Sequence, residues 1–486
     1  MKNYHVAIIG GGVVGSAIAW ELSKYKINVA VFEKGSDVCS GISKANSGVI
    51  HSGINSEPGS QKALFCVQGN KEMQKLSEKL GFSLKWTGKY VIARNDDELK
   101  TLEKLKKAGL KNKVSGLEIH DGSKVMKKEP NVECKSGLWV PTSGIILPYE
   151  FTIALAENAA INNVDFFLET KVIGLDKKND LFVIKTNKGS FKSNLIINSA
   201  GLSCRKILSM LEKPDFNIYP NRGEYLVLDK NQSSLINSMI YPVPPEEFGV
   251  LGAHITPTIE GNILLGPSAE YITDSDDKKT TKKMQDALIS EAKKIVPKIS
   301  AEFVINGYSG IRCKLYASGQ NKPTDYIIEE SKQNPGFINL IGIESPGLTA
   351  SPAIAKHVIK MISNKLDLIK KTDFKIKKKE KRFNELSQEQ QELLIKKDSR
   401  FGRIVCRCEQ ITEAEIINAL SNPLGAKTLS SVKYRCRAGM GRCQGGFCTQ
   451  HIVRIMEDEF KISIKDMKLK SPGSYLFARR NREISK

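Results

Sequence analysis

The chain has 486 residues, 40% of them apolar and 26% charged, with a formal net charge of +21. That length allows two or three domains with a substantial core, and the composition is that of an ordinary globular protein rather than a disordered or fibrous one. No apolar run approaches the ~20 residues of a membrane span and no cleavable leader precedes the first strand, which predicts a cytoplasmic protein and leaves peripheral contact at the inner face of the membrane open.

The excess of positive charge does not read as a nucleic-acid footprint. Lysines are scattered and alternate with acids, as in 98–107, instead of clustering with aromatic residues on one surface. The expectation is a solvated lysine-rich surface and no nucleic-acid partner.

The N-terminal stretch YHVAIIGGGVVGSAIAWELSKYKINVAVFEK reads as strand, turn, helix and second strand, with Gly10, Gly12 and Gly15 in G-x-G-x-x-G register. In that context the first glycine makes the tight turn, the second admits a pyrophosphate and the third lets helix and strand pack closely. The phosphates would lie on the helix N-terminus. Glu33 closes the second strand, where a carboxylate can accept hydrogen bonds from a ribose hydroxyl.

A polar loop follows, containing Asn46, Ser47 and His51, and 71–145 reads as helices and short strands, among them GKYVIA. From 147 onward helix and strands alternate up to a buried strand that ends in a small-residue turn, Asn198 to Gly201. Strands recur through 218–344, and Ser345-Pro346-Gly347 opens another helix. The densest basic run, Lys370 to Arg382, lies where one domain should end, so 371–400 is read as a basic linker and 401–486 as a separate small domain and tail.

That last region holds Cys406-x-Cys408 and, after 34 intervening residues, Cys443-x4-Cys448. Four thiolates arriving as two tight pairs suit a [2Fe-2S] cluster. Zinc is the rival occupant, although its pairs are usually spaced C-x2-4-C. The other six cysteines, Cys39, Cys66, Cys134, Cys204, Cys313 and Cys436, show no pairing logic and are expected in the core as thiols.

Several segments carry a resemblance. VCRCEQIT and GMGRCQGGFC resemble the bacterioferritin-associated-ferredoxin type of [2Fe-2S] domain. GGGVVGSAIAWELSK, NSAGL and LIGIESPGLTASPAIAKHV resemble the D-amino-acid-oxidase-like FAD oxidoreductases. KANSGVIHSGINSEPGSQKALFCVQGN looks most like the L-2-hydroxyglutarate and glycerol-3-phosphate oxidase branches of that superfamily, and the appended iron–sulfur domain looks like that of glycerol-3-phosphate dehydrogenases. The fold implied is α/β plus α+β: a Rossmann-like FAD-binding domain (mainly 1–75, 145–205 and 335–370), an interleaved antiparallel-sheet substrate domain (mainly 76–144 and 206–334) and a small helical [2Fe-2S] domain.

The resemblance also implies roles. His51 would be the base that takes the hydroxyl proton, with Ser47 and Ser345 beside the substrate and Arg312 as the cationic clamp on its anionic end. FAD would be held by Gly10, Gly12, Gly15, Glu33, Lys34, Asn46, Val172, Gly201, Gly347 and Leu348; Cys406, Cys408, Cys443 and Cys448 would hold the cluster. His254 and Arg222 are second-rank candidates. The activity implied is oxidation of a small anionic 2-hydroxy compound, preferably glycerol 3-phosphate to dihydroxyacetone phosphate, with electrons leaving through the cluster to a partner flavoprotein or quinone-linked subunit. L-2-hydroxyglutarate, a proline-type imino acid, and a non-catalytic electron-transfer role are the alternatives.

Overall fold

The computed structural model describes residues 1–244 and 253–478; the extreme end of the expected tail, 479–486, lies outside the described residues. Its first layer is an eight-stranded sheet. Strand β1 (Asn3–Ile9) pairs in parallel with β2 (Val29–Phe32) on one side and with the strand Gly189–Asn198 on the other; Val164–Phe167 and Phe337–Ile341 extend the parallel set outward. An antiparallel hairpin, Val172–Lys178 with Leu181–Thr186, finishes one edge.

Helix α1 (Val13–Leu22) is buried along nearly its whole length, so it lacks a polar face, and Ile18 and Trp20 lie in the core beside Phe151 and Ile354. It can come this close because Gly15 has no side chain: a Cβ there would stand 2.0 Å from the Gly10 carbonyl oxygen. Helix α2 (Gln61–Leu80) starts where the Ser60 hydroxyl accepts from the Ala63 N–H and stops at Gly81, φ +79°. Side chains buried in this way stabilise the fold by about 1.5–3 kcal/mol each for Leu, Ile or Phe.

The second layer is a nine-stranded sheet, antiparallel except where Met239–Pro242 runs parallel to Lys89–Ala93. Its strands come from 89–140 and 216–317, inserted between strands of the first sheet, so the two are interleaved along the chain. The long strands Phe216–Leu228 and Val304–Ala317 form its backbone, in register so that Asn221 faces Arg312 and Tyr225 faces Tyr308.

The basic segment after 370 is laid across the body rather than hanging free. The buried amides of Asn158 and Asn162 each clasp one residue of it through both main-chain groups: Asn158 donates to the Lys377 carbonyl and accepts from its N–H (2.9 and 2.7 Å), and Asn162 does the same at Lys375 (2.7 and 2.9 Å). Part of the expected linker, Gln388–Lys397, is a helix with a Ser387 capping box.

Beyond it comes a small unit with its own core: a two-stranded ribbon (Ile404–Cys406 with Ile411–Thr412) and three helices (Glu413–Leu420, Leu429–Cys436, Thr449–Asp458) packed around Ile416, Val432 and Met456. This unit is docked by charge. Arg435, its side chain 7% exposed, bonds to Asp37 at 2.5 Å and Glu157 at 2.7 Å, and Lys468 reaches Glu169 at 2.7 Å. No helix among the described residues is long and apolar enough to cross a membrane.

Candidate functional site

One cavity of about 1250 Å³ runs from the glycine turn at β1 to the face of the second sheet and out to the C-terminal unit. That exceeds the ~300–1,000 Å³ of a common small-molecule pocket and leaves room for a dinucleotide with a substrate beside it. Gly10, Gly12, Glu33, Lys34 and Gly201 line it at one end.

Glu33 accepts from the Gly11 N–H at 2.8 Å and the Gly35 N–H at 2.6 Å. Burial pushes its carboxyl up, against the pull of those two N–H groups. Each oxygen retains acceptor capacity beyond that one bond, and Glu33 lines the cavity. At the start of α1, Val13 donates to the Ser43 hydroxyl at 2.9 Å, so the loop 42–48 is tied to the helix terminus where phosphate would rest. Asn46 folds its amide back onto the carbonyls of Ile42 and Ser43, a loop-holding role in addition to its place on the wall. Val172 is buried at the start of its strand, while its neighbour Lys171 lines the cavity.

At the other end, His51 and Ser345 meet: Nε2 lies 3.2 Å from the serine Oγ. His51 is anchored through its main chain, its N–H donating to Thr349 Oγ1 at 2.9 Å and its carbonyl accepting from Asn70 at 3.0 Å. Burial drives the imidazole down to about 3, so it is neutral near pH 7. Ser47 is 3.5 Å from the Tyr225 hydroxyl. Gly347 and Leu348 begin the helix Gly347–Ile362 with its N-terminus turned to the cavity.

Arg312 also lines the cavity, braced by Asn221 Oδ1 at 2.7 Å and the Ser268 carbonyl at 3.2 Å. Its Nε–H and the second N–H of Nη2 make no hydrogen bond among the described residues. Arg222 points the other way, because it alternates with Asn221 along its strand; it is bound by Glu270 at 2.5 Å and Asp277 at 2.8 Å and does not reach the cavity. His254 does, stacked on Tyr241 at 3.5 Å between ring centroids.

Three tyrosines of this wall were not among the residues expected from sequence. Tyr225 and Tyr308 stack at 4.7 Å, and Tyr241 carries His254. The signal for Tyr308 was available: it lies four residues before Arg312 in one strand and therefore on the same face. Tyr225 and Tyr241 depend on pairing that no local pattern announces.

The four C-terminal cysteines fall into two pairs, Cys406 with Cys448 and Cys408 with Cys443, each within hydrogen-bonding reach. The hydrogen bond from Cys448, helped by the main-chain N–H groups of Gly439 and Glu409, lowers the Cys406 thiol to about 6. The Phe447 N–H, followed by Cys408 and the Gly445 N–H, lowers Cys443. Among the described residues no three His, Cys, Asp or Glu groups gather around one point. Two pairs of thiols suit two irons with two cysteines each better than one tetrahedral zinc. Gly441 allows the approach, since a Cβ there would stand 2.2 Å from the Cys408 Cβ.

Comparison with known proteins agrees with both halves. Residues 5–361 match the FAD dependent oxidoreductase family, and residues 404–458 match the BFD-like [2Fe-2S] binding domain. The glycerol 3-phosphate dehydrogenase of Caloramator mitchellensis is 40% identical over 484 residues, 97% of this chain and 98% of that one. The mitochondrial L-2-hydroxyglutarate dehydrogenase of Arabidopsis thaliana is 33% identical over 74% of this chain and 83% of its own. Among solved structures, the FAD-bound L-α-glycerophosphate oxidase of Mycoplasma pneumoniae superposes with a TM-score of 0.72 at 32% identity, covering 77% of this chain and 98% of that one.

Proposed function

The chain belongs to the FAD-dependent oxidoreductase family and carries a BFD-like [2Fe-2S] domain, and from that premise we propose that it oxidises glycerol 3-phosphate to dihydroxyacetone phosphate. The observation that carries the choice of substrate is the likeness to the Caloramator glycerol 3-phosphate dehydrogenase, which runs through both the flavin and the iron–sulfur portions.

When bound, FAD supplies a two-electron hydride acceptor and the cluster a one-electron carrier near it. The protein's own residues supply the rest. His51, neutral and 3.2 Å from Ser345, takes the proton of the secondary hydroxyl at Nε2, while the Ser345 hydroxyl holds that oxygen in line. The free edge of the Arg312 guanidinium binds the anionic end, its plane fixed by Asn221 and Ser268. Gly347 and Leu348, at the positive end of the helix Gly347–Ile362, line the cavity and would stabilise negative charge on a bound flavin. Gln444 follows Cys443 and lines the cavity, and its carbonyl oxygen accepts from the Asn306 amide at 2.8 Å, which ties the cysteine loop to the second sheet.

We further infer that electrons leave to a separate flavoprotein or quinone-linked subunit, and that the enzyme works in the cytoplasm, where ten cysteines without a disulfide, four of them for the cluster and six as thiols, suit a reducing environment. L-2-hydroxyglutarate is the second reading, supported by the Arabidopsis relative. Anaerobic mixing of the purified protein with each compound in turn separates them. Glycerol 3-phosphate alone should bleach the flavin absorbance quickly; bleaching by L-2-hydroxyglutarate with none by glycerol 3-phosphate would replace the first reading with the second.

A further inference from the structure

Part of the cavity wall is built by the C-terminal unit. Lys433, Tyr434, Arg437, Met440, Gln444 and Lys470 of the C-terminal unit face into the same cavity as Gly10 and Gly12. A small electron-carrying domain needs no such surface for its own cluster, so these residues ask for another explanation.

Charge supplies one. Lys44 follows Ser43, the residue tied to the N-terminus of α1, and is half-buried with its ammonium 5.3 Å from the Tyr434 ring centroid. Lys433 is half-buried one residue before Tyr434, and Lys278 and Lys470 stand exposed at the rim of the cavity. Burial, together with the like charges of Lys278, Lys470 and Lys433, holds the Lys44 ammonium below its ordinary range. None of the four makes an ion pair among the described residues. Of the acids of the same wall, Glu33 accepts from two main-chain N–H groups, Glu169 pairs with Lys468, Glu260 with Arg382 and Glu344 with Lys62 and Lys314; Asp276, exposed at the rim two residues before Lys278, is the exception.

Lys44, in the loop tied to the α1 N-terminus, and three further lysines that act on it outnumber the single unpaired acid at the rim, and such a cluster calls for an anion with more than one charge. The substrate's anion is held elsewhere, at the Arg312 end. We propose that Lys433 and Lys470 of the [2Fe-2S] domain, with Lys44 and Lys278, form the binding site for the diphosphate of FAD, so that the C-terminal domain is a structural part of the flavin site as well as an electron carrier. This rests on the chain binding FAD and not on which alcohol it oxidises. Ion pairs to an exposed rim are screened by salt, whereas those to half-buried lysines are screened less, so Lys433 should matter more than Lys470.

Flavin retention tests the proposal without any substrate. The full-length protein and a Lys433→Gln/Lys470→Gln variant are passed through gel filtration at rising salt, with flavin followed by absorbance and the cluster by its electron-spin-resonance signal after reduction. The variant should lose flavin at least about tenfold faster while keeping its cluster, and Lys433→Arg/Lys470→Arg should hold flavin as the parent does. Equal retention in the Gln variant would overturn the proposal. So would unchanged retention with a raised KM for glycerol 3-phosphate, which would give the lysines to the substrate. If the Gln variant loses the cluster as well, Lys44→Gln, outside that domain, decides: it must by itself speed flavin loss with the cluster intact, and flavin held as in the parent would overturn the site.

Discussion

His51 Nε2 and Ser345 Oγ, 294 residues apart in the chain, lie 3.2 Å apart in the cavity. Neither loop could place a base beside a hydroxyl alone; Thr349, in the first turn of the helix that Ser345 precedes, holds the His51 N–H and ties the two loops together. His51→Ala should cut the rate of flavin bleaching by glycerol 3-phosphate by about 10²–10⁴-fold, the worth of a positioned general base, and leave FAD bound. Stopped-flow absorbance checks both at once; an undiminished rate would remove His51 from the mechanism.

Arg312 should act on the anionic end. Arg312→Ala is expected to lower kcat/KM about 10- to 100-fold, as for loss of a hydrogen bond to a charged group, and Arg312→Lys to recover only part because a point charge cannot replace the braced fork. Steady-state kinetics on glycerol 3-phosphate, with glycerol as the uncharged control, measures it: the glycerol rate should barely move.

The pH dependence follows from the direction in which His51 is shifted. Burial lowers its pKa from 6.5 to about 3 in the folded protein, so between those values the unfolded chain binds a proton that the folded one does not. Stability therefore rises with pH across that window and is lost on acidification from 6.5 toward 3. Melting temperatures of the parent and His51→Gln, taken from pH 7 to pH 4, should converge as the pH falls; parallel curves would place the imidazole in water instead.

Arg435 joins the C-terminal unit to the body through Asp37 and Glu157, with side-chain exposures of 7%, 11% and 14%. Removing one member of a buried ion pair costs about 3–5 kcal/mol, because its partners stay desolvated and unpaired. Arg435→Ala should expose the junction near 398–404 to limited proteolysis at protease levels the parent survives, and cleavage patterns identical to the parent would contradict this.

Cys443→Ser should abolish the cluster's visible absorbance and leave flavin bleaching by substrate intact, while turnover with an artificial one-electron acceptor falls. Loss of bleaching as well would mean that the cysteine loop also shapes the cavity wall of the second sheet, through Gln444 and Asn306.

The dinucleotide turn and the cysteine pairs were legible because their chemistry is local: three glycines and a carboxylate within one strand–helix–strand unit, two thiols on either side of a short helical unit. His51, Arg312 and Ser345 were reached through family likeness, and the structure brings them to one cavity. Tyr225 and Tyr241 were not legible, since their positions depend on strand register across tens of residues. Arg222 was a second-rank candidate behind Arg312 in sequence; one step of strand alternation turns it onto three carboxylates, Glu224, Glu270 and Asp277. The lysine-rich stretch after 370 looked like slack chain, and only the two buried asparagines that grip its main chain show otherwise.

The cavity is bounded by residues from Gly10 to Pro472. Domains fold in order of synthesis, so the glycine turn is made first and waits for the last part of the cavity wall until nearly the whole chain has left the ribosome. A chain truncated before the cysteine unit would lack the part of the cavity wall that Lys433 to Pro472 supply.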